Sequence, residues 1–323
     1  MGLYPFIEVD VNGKPVSTDF YSRLVSATIR DEPGQEADRI DLRFDDEGND
    51  IEMPEKGAIV TARFGYRDTG AQKMGVFVVE KTGIEGGDGG EFIDISGRSA
   101  DMRSDVKEPL SEHFDDTTVG AIVSDLAKRH GFEAKVDDEL AAIAIPYIAR
   151  YEQGATDFLT RLADRVGGFF APKGKKFILV KHGFLSPVTI DKSECESWRF
   201  DVEPRPLYGK AEAGWYDRKS NTLIFEQQST GLEGGVKRLR RIFATQEEAK
   251  LAASSESGRL GRATGSGSIT LAGRPDVMAD APIRTTGWRP EVTGLWRCAG
   301  VDHVYQETYM TTIDVEAPED GKT

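Results

Sequence analysis

The residues that could do chemistry are sparse and scattered. Four histidines, His113, His130, His182 and His303, lie far apart, and none forms the helical pair spaced by four with an intervening glutamate that zinc hydrolysis uses. His130 precedes Gly131, where an imidazolium favourably meets the negative end of a helix, so it needs no ligand. His303 falls in the alternation Cys298, Gly300, Asp302 against Ala299, Val301, His303 and reads as a strand residue. The run Asp45-Asp46-Glu47-Gly48-Asn49-Asp50 clusters the carboxylates a hard cation wants, but it lacks the spacing of a calcium loop and reads as a solvated acidic hairpin tip.

Nucleotide and nucleophile chemistry fare no better. Gly261-Arg262-Ala263-Thr264-Gly265-Ser266-Gly267 is glycine-rich, yet no Gly-Lys-Ser/Thr follows and no dinucleotide spacing is present; it reads as a loop. There is no G-x-S-x-G elbow. Acid pairs for glycoside hydrolysis stay open, because 55 carboxylates always offer pairs and only their separation in space is diagnostic. Lys237-Arg238-Leu239-Arg240-Arg241 is the one basic cluster, either a solvated strand or loop, or a face for an acidic partner. The expectation is therefore no catalytic residue, no cofactor-binding residue and no metal ligand.

The elements that would carry such residues fall into three parts. Up to about Lys107 the chain reads as strands: Ile7, Val9 and Val11 alternate with polar residues, as do Ile40, Leu42 and Phe44, then Val60, Ala62, Phe64 and Tyr66, then Ile93 and Ile95. Asn12-Gly13 supplies a tight hairpin turn, and Gly86-Gly87-Asp88-Gly89-Gly90 reads as a flexible tip between Val76–Val79 and Phe92–Ile95. From about Glu108 to Gly183 the period changes. Val119, Ile122, Val123 and Leu126 form one helical stripe, capped by Thr117 or Thr118 and ended by Gly131; Phe158, Leu159, Leu162, Ala163 and Val166 form another, ended by Gly167-Gly168, before a strand at Lys176–Lys181. From about Phe184 strands return, interrupted by one helix that starts at the capping box Thr245-Gln246-Glu247-Glu248 and stops at Gly258.

The expected fold is thus mainly β with an α+β insert: a small antiparallel β-barrel at 1–107 and a second strand-rich part with one inserted helix at 184–317 flank an α/β module at 108–183, and 318–323 is a flexible tail. No residue-level repeat relates the two strand-rich parts.

Composition agrees with a β-rich chain of 323 residues. Thirty-five glycines exceed the roughly 7% of average usage and fall between the alternating runs. Forty-one Lys and Arg against 55 Asp and Glu give a formal charge of −14, a field that repels polyanions, so sequence-reading nucleic-acid binding is not expected. Eleven of the acids, against three bases, crowd into residues 31–60. Two cysteines, Cys195 and Cys298, fit a reducing compartment, though a lone bridge stays open. The most apolar stretch, Leu140–Ala149, is broken by Pro146 and is far shorter than the ~18 residues a membrane helix needs. The start has no basic leader, and Phe6 stands where a myristoylation signal wants Ser or Thr. A cytoplasmic product with no membrane anchor is expected.

The middle part resembles a known family. Thr117-Thr118-Val119-Gly120-Ala121-Ile122-Val123, Ala127-Lys128-Arg129-His130-Gly131-Phe132, Ile145-Pro146-Tyr147 and Asp157-Phe158-Leu159-Thr160-Arg161-Leu162-Ala163 resemble the phage late control gene D family of tail hub proteins. Trp296 to Thr312 looks like the closing hairpin of that family, and Gly273-Arg274-Pro275 like its preceding element. The chain is also similar to the hub portion of secretion-system spike proteins of the valine-glycine repeat type.

That resemblance implies the baseplate hub of a contractile phage tail or related injection machine, located in the virion tail and assembled in the host cytoplasm. It implies two tube-protein-like barrels per chain, a homotrimer, and as partners the tail tube protein, a separate spike protein, the tape measure and other baseplate proteins. No lysozyme-like insertion is visible. A peptidoglycan-degrading tail hydrolase or a carbohydrate-binding tail module are the alternatives.

Overall fold

The computed structural model describes residues 4–33, 37–49, 51–99, 106, 108–173, 176–181, 186–202 and 207–318. His182, the boundaries drawn at 107 and 183–184, and the tail from 319 on lie outside the described residues.

The first part contains β1 (Pro5–Val11), β2 (Lys14–Pro15), α1 (Thr18–Arg23), β3 (Leu24–Asp31), β4 (Arg39–Asp45), β5 (Ile59–Tyr66), β6 (Gly70–Gly87) and β7 (Gly90–Ser99). Asn12 and Gly13 both have positive φ, 50° and 77°, and close the expected turn with Val11 opposite Lys14. The alternating residues point inward: Ile7, Val9, Ile29, Ile40, Leu42, Phe44, Val60, Phe64, Phe77, Ile93 and Ile95 are buried in one core. Each such side chain contributes about 1.5–3 kcal/mol through the apolar area it removes from water. The glycine-rich stretch differs from expectation. The ladder runs on to Gly87 opposite Gly90, so only Asp88 and Gly89 form the turn. Glycine adopts extended backbone freely, and the hairpin simply continues through it.

The middle part contains β8 (Leu110–Thr118), α2 (Val119–Arg129), β9 (Glu133–Val136), α3 (Asp138–Ala141), β10 (Ala144–Gln153), α4 (Ala155–Arg165), β11 (Gly168–Lys173) and β12 (Lys176–Lys181). Thr118 Oγ1 accepts the Ala121 N–H at 3.3 Å to cap α2, and Gly131 and Gly167, at φ 74° and 68°, turn the chain after α2 and α4. Both helical stripes pack with β11 and β12 around Phe158, Phe170 and Phe177.

The last part contains β13 (Val188–Asp191), β14 (Cys195–Val202), β15 (Leu207–Asp217), β16 (Thr222–Ser229), β17 (Gly234–Phe243), α5 (Gln246–Arg262), β18 (Gly265–Ala272), β19 (Pro282–Thr286), β20 (Gly294–Tyr305) and β21 (Tyr309–Glu316). Three expectations change here. Helix α5 does not stop at Gly258 but runs to Arg262, because Ser257, Gly258 and Gly261 are small enough to be buried within the packed helix. Gly261–Gly267 is consequently a helix end and a strand start, not a loop. The alternation around His303 is broken by an irregularity between Cys298 and Gly300, so Cys298 and His303 are both buried despite their odd spacing.

Strands of the two strand-rich parts pair with one another. They form one large sheet in the order β14-β18-β21-β20-β3-β4-β7-β6-β5-β1-β2, with β19 also pairing β20 and β13 pairing β19. Among the described residues no ladder closes either part into a barrel. Strands β15, β16 and β17 leave the large sheet and form a three-stranded sheet of their own, against which α5 packs through Ala249, Ala252 and Ala253.

A repeat does exist, in topology. Strands β1, β3, β4, β5, β6 and β7 are ordered β3-β4-β7-β6-β5-β1; strands β13, β14, β18, β19, β20 and β21 are ordered β14-β18-β21-β20-β19-β13. By chain position both read second, third, sixth, fifth, fourth, first. One difference stands out: β1 pairs β5 antiparallel, whereas β13 pairs β19 parallel.

Candidate assembly surfaces

The join between the two halves is built from both β-pairing and polar side chains. Val301–Tyr305 of β20 pairs antiparallel with Ala27–Asp31 of β3. Across that seam the Arg30 guanidinium meets Asp302 at 2.8 Å, Asp314 at 2.9 Å and Glu32 at 3.0 Å. Burial works against its charge, but the bonds to Asp314 and Glu32 and the Asp302 charge win and hold it above the ordinary guanidinium value. The Asp31 carboxylate accepts the Ala279 N–H at 2.8 Å.

Behind this seam lies His303, 1% exposed. Its Nδ1 is 2.8 Å from the Tyr309 hydroxyl and 3.2 Å from Thr311 Oγ1. Burial pushes the imidazole down to about 4 and pushes the Tyr309 phenol up. Tyr309, although it belongs to β21, packs edge-on to Phe64 with ring centroids 5.5 Å apart and so completes the core of the other half. The Tyr66 hydroxyl donates to the Gly273 carbonyl at 2.9 Å. This cluster is a polar rivet between two cores.

The other chemical candidates are dispersed. His113 is exposed beside Asp115 at 3.2 Å, and His130 is the C-cap of α2. Among the described residues no group of three or more His, Cys, Asp or Glu could hold a metal ion. Cys195 and Cys298 are free, on β14 and β20, and burial pushes their thiols up to about 11 and about 12. The acidic run after β4 is less solvated than its composition suggests: Asp46 is buried, and its carboxylate accepts the Ile51 N–H at 3.0 Å. A short acid turns inward because the turn leaves a backbone donor to satisfy. Two clefts could be asked for hydrolase chemistry. One, of about 760 Å³, holds Asp201 and Glu316, each ion-paired, to Arg199 at 3.0 Å and Arg297 at 3.1 Å. The other, of about 710 Å³, is walled by Val11, Phe20, Phe44 and Met53 with Asp19 and Glu55 among its lining.

The basic cluster Lys237–Arg241 lies on β17, and part of it is engaged within the chain. Arg238 pairs with Glu212 at 3.0 Å and stacks over Phe225 at 4.2 Å. Arg241 sits near Arg165 and is held below the ordinary value by burial and by that neighbour. Arg165 of α4 is itself ion-paired with Glu248 of α5, both nearly fully buried. Glu248 also receives the Ala244 N–H at 3.2 Å, while Thr245 Oγ1 accepts the Glu248 N–H, so the capping box that marks α5 in the sequence doubles as the clamp onto the middle part. Its partner, Arg165, carries no local sign of this role. Neither does Arg30, which lies 272 positions from Asp302.

Unpartnered surface is concentrated on strands. On the three-stranded sheet Tyr208, Tyr216, Leu223, Val236 and Ile242 are exposed. Strand β14 ends the large sheet, with Trp198 42% exposed. The C-terminal half of β6, where Ile84 is 63% exposed, pairs on one side only among the described residues. Such edges invite addition of another strand.

Comparison with known proteins gives these surfaces a context. No protein-family model matches the chain. Two solved structures share its fold: a 43 kDa tail protein of prophage MuSo2 from Shewanella oneidensis, 14% identical, TM-score 0.73, covering 98% of this chain and 99% of that one, and an Escherichia coli component of the type VI secretion system, 13% identical, TM-score 0.58, covering 98% and 78%. In sequence the chain is 27% identical over 359 aligned residues to the probable baseplate hub protein of Escherichia phage 186, covering 96% of this chain and 92% of that one, and 26% identical, with the same coverage, to that of phage P2. Along nearly its whole length the chain is thus similar to phage baseplate hub proteins, in keeping with the resemblance read from Thr117 to Ala163 and from Trp296 to Thr312.

Proposed function

We propose that the protein is the structural hub of a contractile-tail baseplate, joining the tail tube to a separate central spike. The observation that carries this is similarity to two baseplate hub proteins over 96% of the chain. The geometry supports it: the polar clusters around Arg30 and His303 join one part of the chain to another, and exposed apolar side chains lie on strand edges and on the face of the three-stranded sheet. That is a distribution suited to assembly. Each six-stranded unit is taken as one tube-protein-like barrel, so three chains offer six similar units to a sixfold tube and a threefold face to a spike. A cyclic trimer needs heterologous contacts whose rotation closes the ring.

The domain limits 1–107, 108–183 and 184–317 belong to the same proposal, with the first and last as ring-forming units. No catalytic role is assigned to any residue. Co-expression with the neighbouring tail-tube and spike genes, followed by affinity pull-down and imaging, tests the hub: both should co-purify and threefold particles should be seen. Recovery of neither partner, together with clearing of peptidoglycan by the purified chain, would replace the hub with the hydrolase.

A further inference from the structure

The internal duplication specifies how copies would meet, and the proposal rests on the trimeric hub above. The two six-stranded units match beyond strand order. Both interrupt the ladder of the second strand at the same place, between Leu24 and Ser26 and between Cys195 and Ser197, and both interrupt the fifth, between Val79 and Lys81 and between Cys298 and Gly300. Loop bonds match too. Gly57 N–H to Val79 O and Val79 N–H to Ala58 O, each 2.9 Å, recur as Asp280 N–H to Cys298 O and Cys298 N–H to Ala281 O, each 2.9 Å. Ser99 N–H to Asp38 O recurs as Ala317 N–H to Gly265 O, both 2.8 Å. These coincidences fix a residue correspondence with no reference to residue type: Ala27–Asp31 corresponds to Trp198–Val202, and Val301–Tyr305 to Thr82–Gly86.

Within the chain, the fifth strand of the second unit pairs with the second strand of the first. Their counterparts, the fifth strand of the first unit and the second strand of the second, are left unpaired on the corresponding edges among the described residues. We infer that they pair between copies: β14 of one chain adds antiparallel to the Thr82–Gly86 edge of β6 in the next. The register follows from the internal seam, placing Thr82, Gly83, Ile84, Glu85 and Gly86 opposite Val202, Asp201, Phe200, Arg199 and Trp198 of the neighbouring copy.

Exposure supports a second copy as the occupant. His303 and Ala27, inside the internal seam, are 1% and 0% exposed, whereas their counterparts Ile84 and Trp198 are 63% and 42% exposed. Ile84 stands in water where its duplicated position is covered, and Trp198 is covered only in part, by Trp288 at 6.1 Å and Lys192 at 5.0 Å. Charge is compatible with this register: Glu85 falls directly opposite Arg199 and Lys81 is the diagonal neighbour of Asp201, while Glu85 is also diagonal to Asp201, and within the chain Arg199 pairs with Asp201 and Glu85 with Arg43. The equivalent place inside the chain is occupied by Arg30, packed over Gly300.

Directly opposed Cα atoms in an antiparallel ladder lie about 4.5–5.5 Å apart, within disulfide range. The test is the full chain carrying Glu85→Cys and Arg199→Cys in a Cys195→Ser background, oxidised at physiological salt and run on a non-reducing denaturing gel. The expected product is a covalent trimer, while Glu85→Cys with Ser197→Cys, two residues out of register, stays unlinked. Oxidation traps a transient ring, so stable association is not required. In light scattering with the spike present, Glu85→Arg and Arg199→Glu should each reduce the trimer fraction severalfold, and the double reversal should restore it. A trimer by light scattering in which the in-register pair fails to link, or links no better than the offset pair, overturns strand addition and leaves the hub trimer standing. Absence of both link and trimer overturns the two together.

Discussion

Acidification to about pH 5 should loosen the seam between the two halves of the large sheet, through His303. The native imidazole is pushed down to about 4 from an ordinary 6.5, chiefly by burial; Asp31 and Asp276 act in the opposite sense without prevailing. Between those two values the unfolded chain binds a proton that the folded chain excludes, so stability is complete above about 6.5 and falls as pH drops toward 4. At about 1.4 kcal/mol per unit, pH 5 costs about 2 kcal/mol relative to neutral pH. Other groups titrate in this window, and a variant isolates the histidine. His303→Gln keeps a polar side chain next to the Tyr309 hydroxyl but cannot take up a proton. Urea unfolding followed by tryptophan fluorescence, with Trp296 buried in the second core, should show the wild type losing about 2 kcal/mol more than the variant between about pH 7.5 and 5. Equal losses in the two proteins would refute the burial argument.

Breaking the Arg165–Glu248 clamp from one side should be worse than removing it. Arg165→Met should cost about 3–5 kcal/mol by stranding a buried carboxylate, while Arg165→Met combined with Glu248→Gln should recover part of that loss in urea unfolding. Gly273→Ala should destabilise by about 1–3 kcal/mol or more, since a methyl there falls within the buried Tyr309 ring; normal stability would mean that the ring is free to move. The isolated chain, at −14, should associate more readily as salt rises, and light scattering with the spike protein added should give a mass near three chains. A stable dimer would defeat the threefold hub.

The elements legible in the sequence were those with a local cause. Asn12-Gly13, Thr118 with Gly131, and Thr245 with Glu248 marked turns and helix ends because the residues that satisfy the backbone there are adjacent in the chain. Strand alternation located the inward faces of β4, β5 and β7 for the same reason. What failed was non-local. Gly258 looks like a stop until the neighbouring sheet is present to cover it, and Asp46 looks solvated until the Ile51 N–H is seen to need it. The pairing that joins strands of the two parts depends on β20 finding β3, some 270 positions away, which no spacing rule contains.

The duplication was invisible for a related reason, and that reason favours assembly as its cause. Matched positions hold different chemistry: Ala27 against Trp198, Thr28 against Arg199, His303 against Ile84. These differences are systematic. At the internal seam Ala27 and His303 are buried and the Arg30–Asp302 pair bridges the two strands, which suits a junction formed once on folding. At the counterpart edges, a half-exposed aromatic and an exposed isoleucine suit a junction that must remain soluble until a second chain arrives. Strand order, ladder interruptions and loop bonds are common to the two units, while the side chains at the matched seam positions differ. A purely structural duplication with no partner would have no need for Ile84 in water, and a charged or glycine residue there would protect the edge at no cost to the core.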